Sequence, residues 1–106
     1  MHVEQIQSIS NQAFDRENAR LALRERIQTE LIMTANGGMF QITPALLAFV
    51  KTWPLDELYL EDIHGNPTQL DRQVFLVQAQ QHYQAAMNAW HNEYQELQKI
   101  RKGRNA

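Results

Sequence analysis

The run RQVFLVQAQQHYQAAMNAWHNEYQELQKIRK, residues 72–102, decides how the chain is read. It contains neither glycine nor proline. Leu76, Ala79, Tyr83, Ala86, Trp90, Glu93, Leu97 and Ile100 alternate steps of three and four, and Phe75, Met87 and Tyr94 widen the stripe. That period belongs to an α-helix with one broad apolar face. At ~1.5 Å per residue the run makes a rod of roughly 46 Å, longer than one compact small domain needs. Asp71 stands before it as an N-cap, and seven glutamines give it an uncharged polar back.

Working back from this helix, Leu58 to Ile63 alternates as a strand, with Leu58 and Leu60 on one face. A helical turn over Leu55 to Leu60 competes. His64-Gly65-Asn66-Pro67 supplies turn residues, so Thr68-Gln69-Leu70 can return as a second strand, with Met39 to Ile42 available as a third. Thr43-Pro44 places a capping hydroxyl before a proline suited to a first helical turn. A short helix follows to about Thr52, and Trp53-Pro54 ends it.

The N-terminal third reads as another helix. Val3, Ile6, Ile9 and Ala13 keep the helical step, which passes through Arg16 and Arg20 before Leu23 and Ile27 resume it. Asn36-Gly37-Gly38 reads as its stop, because Asn and Gly accept the left-handed conformation that closes helices. Ser8, Ser10 and Asn11 favour caps over helix interiors, so the stable helix begins near Asn11, with the first ten residues frayed or separately helical. The sequence therefore predicts a mainly α fold with a small α+β insert. Two long helices cover about 11–35 and 72–102, a short helix covers about 44–52, and the β element has two or three strands. One domain spans 1–106, with the insert at 38–71 and a basic tail at 103–106.

The 106 residues suffice for one core and no more. There is no cysteine, which excludes disulfides, thiolate metal sites and cysteine nucleophiles. No apolar run reaches the roughly 18 residues of a membrane span, and the start lacks a signal pattern, so the expected setting is the cytoplasm, or a virion. Net charge is −2, resolved into −1 over residues 1–37, −4 over 38–71 and +3 over 72–106.

The residues that carry chemistry elsewhere give little here. His82 and His91, nine apart, point in opposite directions from one helix, and His2 and His64 lack ligand spacing. Glu61, Asp62 and His64 cluster near a turn, where a solvated hairpin tip explains them better than a metal. His91-Asn92-Glu93 lacks the proline-cysteine partner of zinc deaminases. Ser8 and Ser10 have no nucleophile elbow, and Gly37-Gly38 lacks the lysine of a phosphate loop. No enzyme, cofactor or metal is expected.

Two cation groups suggest nucleic acid: Arg16, Arg20 and Arg24 at i, i+4 and i+8, and Lys99, Arg101, Lys102 and Arg104 at the chain end. Nearby acids offer the simpler account of the first group, with pairs such as Glu17 with Arg20 or Arg26 with Glu30, and the helix dipole accounts for the second. The broad stripe outruns the apolar surface left to cover it. Tyr83, Met87, Trp90, Tyr94 and Leu97 are thus expected to contact a partner, either a second copy or another protein of an assembly.

Phe40-Gln41-Ile42-Thr43-Pro44, Glu61-Asp62-Ile63-His64-Gly65-Asn66-Pro67 and Ala86-Met87-Asn88-Ala89-Trp90-His91 together resemble small structural or accessory proteins of tailed bacteriophages, over about residues 38–104. The resemblance implies virion assembly or a complex with phage or host proteins, without catalysis. The sequence thus predicts a non-enzymatic assembly protein whose long C-terminal helix mediates oligomerisation or docking. The competing reading is a nucleic-acid accessory protein using the arginine stripe and basic tail.

Overall fold

A computed structural model describes the backbone of residues 2–105 and the side chains of residues 15–99. The order is α1 (His2–Glu30), β1 (Ile32–Ala35), β2 (Gly38–Gln41), α2 (Pro44–Thr52), β3 (Glu57–Glu61), β4 (Pro67–Asp71) and α3 (Arg72–Asn105). β1 pairs with β2, and β3 with β4, as two separate antiparallel hairpins.

This corrects the expected fold. The first long helix does not run from 11 to 35; it starts at His2 and ends at Glu30. In place of one two- or three-stranded element there are two two-stranded sheets, and residues 39–42 do not join the second hairpin as a third strand. Asn36-Gly37 explains the early end of α1 and the separate first hairpin. Its residues take φ of 51° and 81°, the two positive values that a tight hairpin turn needs and that Asn-Gly supplies at least cost. The pair is a chain reversal between strands, with Met33 opposite Phe40 and Ala35 opposite Gly38. α3 also runs beyond 102, to Asn105.

Local chemistry fixes the other boundaries. Thr43 Oγ1 accepts the Leu46 N–H at 3.1 Å, with Pro44 in the first turn of α2. Asp71 Oδ1 accepts the Val74 N–H at 3.0 Å at the start of α3. The two hairpins and α2 form a head around α3, with Phe40, Ile42, Val50, Leu58, Leu70, Phe75 and Ala79 buried together. Phe40 and Phe75 meet edge to face, 5.3 Å between centroids. Gly38 lies where the hairpins touch: a Cβ there would stand 2.8 Å from Thr68 Oγ1. The Met39 carbonyl accepts the Ile63 N–H at 2.8 Å, and Asn36 Nδ2 donates to the Gln69 carbonyl at 2.9 Å, so side-chain and main-chain bonds tie hairpin to hairpin.

Beyond the head, α1 and α3 lie antiparallel as an arm. Its core is Leu23, Ile27, Leu31 and Ala86, with Tyr83, Met87, Ala89, Trp90 and Leu97 packed against it. Tyr83 also packs on the head core, which makes the two cores continuous. The molecule measures 68 × 27 × 19 Å, with a radius of gyration of 19.9 Å. A compact domain of this length has about 13 Å, so the shape is a rod.

Candidate functional site on the helical arm

The arm seam does not follow the sequence pattern on α1. Arg16 and Arg20, which occupy the apolar spacing, are exposed, and the seam passes through Ala19, Leu23, Arg26 and Ile27. Arg26 crosses to Glu93, the one polar member of the α3 stripe. The intrahelical pairing of Arg26 with Glu30 is replaced by this interhelical one. Both side chains stay about half exposed, 54% and 44%, with only the Glu93 Oε2 atom covered, so the pair is a contact at the rim of the seam that solvent screens. A charged pair at the rim of an apolar seam favours one register of the two helices. His82 completes the joint, its Nε2 against the Glu30 carbonyl at the end of α1, where a last-turn carbonyl has no helical partner.

The five residues expected to contact a partner divide on this frame. Tyr83 and Leu97 turn toward α1; Leu97 also lines a groove of about 430 Å³ with Ala19, Ala22, Leu23, Arg26, Glu93 and Glu96. Met87, Trp90 and Tyr94, with His91, line an open concavity of about 310 Å³ on the flank of α3. Met87 and Trp90 are half-buried because they also touch the arm core, whereas Tyr94 is 45% exposed. Gln98 Nε2 donates to the Tyr94 hydroxyl at 2.8 Å and holds the ring in place.

His91 was not anticipated in this surface, and the missed signal was a lack of charge. From Gln73 to Gln98 the only charged residues are Glu93 and Glu96, and both line the groove against α1. The flank carrying Gln84, Met87, His91, Tyr94 and Gln98 has none.

The cation groups are spread out. Arg20 lies 3.8 Å from Glu17, both well exposed, and Arg24 is exposed on the same helix. Lys99 bonds Glu96 at 3.2 Å. Arg101, Lys102 and Arg104 fall in the last turns of α3, and their side chains lie outside the described residues.

Glu61, Asp62 and His64 do not converge on a metal position; among the described residues no three potential ligands do. Asp62 instead organises the β3–β4 turn. Its Oδ1 accepts the N–H groups of Asn66 at 2.9 Å and His64 at 3.0 Å, and its Oδ2 accepts that of Met39 in the other hairpin at 3.3 Å. The Asn66 N–H does most to hold this carboxyl below its ordinary pKa; burial opposes the shift, and the Met39 and His64 N–H groups and the His64 charge add to it.

Among the described residues no helix is long and apolar enough to cross a membrane. No family model, curated protein or solved structure matches the chain.

Proposed function

We propose that the protein is a non-enzymatic assembly element whose arm mediates oligomerisation through the flank of α3. The observation that carries this reading is the flank of half-buried Met87 and Trp90 with exposed His91 and Tyr94: a shallow apolar concavity on a helix face free of formal charge. Charge depletion with aromatic and methionine enrichment is the composition of interface cores, not of solvated helix faces. The long rod supports it too, because a two-helix arm leaves one flank of α3 without a helix packed on it. A setting in a phage virion or its assembly complex is part of the proposal and rests on the sequence resemblance alone.

The nucleic-acid reading has weaker support. The flank has no lysine or arginine, and Arg20 and Lys99 each have an acidic neighbour on their own helix.

Light scattering on the purified chain tests the proposal. We expect a mass above 12.4 kDa at high concentration, returning to the monomer value in Tyr94→Asp. Tyr94 is the better probe than Trp90, which also packs on α1. A monomer at every concentration, unaltered by Tyr94→Asp, contradicts it.

A further inference from the structure

The geometry points to a second copy of this chain as the occupant of the α3 flank, lying antiparallel to the first about a two-fold axis beside His91. This inference rests on the reading of α3 as an assembly surface and names its partner.

A two-fold contact places one patch on itself, so the patch must tolerate its own image. Gln84, Met87, His91, Tyr94 and Gln98 do: they set no formal charge against a like charge. The neutral patch supplies contact but no direction.

Direction comes from the poles of the rod. Residues 31–72, the head with the start of α3, carry net −3. The far end of the arm, residues 2–20 with 96–105, carries net +2. Within one chain these poles cannot meet. Asp71 and Arg104 are 33 residues apart along α3, about 50 Å, against a screening length of about 8 Å. Two chains side by side in parallel would set like poles together. Antiparallel, each head faces the other's basic end.

The patch lies at the place this requires. His91 is 13 residues from Arg104 and 20 from Asp71, about 20 Å and 30 Å along the helix. Pairing about His91 thus brings the last basic turn, along the helix axis, to about 10 Å from the base of the partner's second hairpin, on the order of one screening length. At that base Glu57 stands opposite Asp71 in the sheet, with Asp56 next to it, and the three outnumber Arg72.

The absence of cysteine makes the test clean. Gln84, His91 and Gln98 are a helical seven apart on the same flank. In the antiparallel pair His91→Cys forms a disulfide with its own copy, while Gln84→Cys and Gln98→Cys do so only when mixed with each other. Mild oxidation at a protein concentration of about 100 µM, followed by non-reducing gels and light scattering, reads the pattern. Raising salt from about 50 to 500 mM is expected to weaken the dimer about tenfold, since the polar attraction is exposed and screened. Homodisulfides at all three positions mean a parallel pair and overturn this inference while sparing the assembly reading. An oligomer with no disulfide at any of them places the contact elsewhere and overturns both the inference and the flank as the assembly surface. A monomer at all concentrations overturns the inference and removes its foundation.

Discussion

Ile27 lies at the centre of the arm and is 1% exposed, packed with Leu23, Leu31 and Ala86. Ile27→Ala removes three carbons, about 2.4 kcal/mol of lost burial at ~0.8 kcal/mol each. The void left between two helices adds about 1 kcal/mol more. For a chain of this length about 3 kcal/mol lowers the melting temperature by roughly 12–20 °C. Leu21 on the same helix is 48% exposed, so Leu21→Ala is the control and should cost under ~0.5 kcal/mol. Calorimetry gives both numbers. Fluorescence adds location, because Trp53 belongs to the head and Trp90 to the arm. With Tyr83 joining the two cores, single-tryptophan variants should report one midpoint. Equal melting temperatures for Ile27→Ala and Leu21→Ala would refute the packed arm, and two separate midpoints would refute the continuous core.

Three further outcomes follow from particular contacts. Gly37→Ala forces a Cβ into φ of 81° and should destabilise the first hairpin by about 1 kcal/mol in urea unfolding, although nothing crowds the site. Arg26→Ala removes a partly exposed ion pair and should cost at most about 1 kcal/mol, and a double-mutant cycle with Glu93→Gln should give a coupling of that size or less that shrinks as salt is raised. Asp62 has a lowered folded pKa, so its stabilisation is present above the ordinary value of 3.8 and is lost as pH falls from about 4 through the folded value. Asp62→Asn, which cannot accept from both hairpins, should be less stable at pH 7, with the gap to the unmutated chain closing in acid; a gap independent of pH contradicts the role given to the carboxylate.

The helix-rich character of the chain was legible, because a 30-residue stretch without glycine or proline has few alternatives to a helix. Capping chemistry was legible at Thr43 and Asp71 for the same local reason: one side-chain oxygen three residues ahead of an amide that needs it. The first hairpin was not. Asn36-Gly37 serves equally as helix stop and as hairpin turn, and Ile32 to Ala35 is too short for period to decide between them. What settles it is tertiary: Met33 and Phe40 reach the head core only from paired strands. The α1 seam was misread because spacing cannot tell which of Ala19 and Arg20 faces inward when its partner helix is unknown. On the arm, the aromatic stripe was visible as a period, but its division into a face toward α1 and a free flank depends on where α1 lies. Glu93 and Glu96 are the only charges between Gln73 and Gln98, and the lack of any at Gln84, Met87, His91, Tyr94 and Gln98 was in plain view and was the better guide to the free flank.

The most direct test of that flank as the assembly surface is a dilution series of isotope-labelled protein followed amide by amide in NMR. Going from about 1 mM to 10 µM, the account predicts chemical-shift changes concentrated on residues 84–98, with smaller ones at the hairpin base and the last turns of α3. Shifts confined to the outer faces of the two hairpins, or no shifts at all, would contradict it.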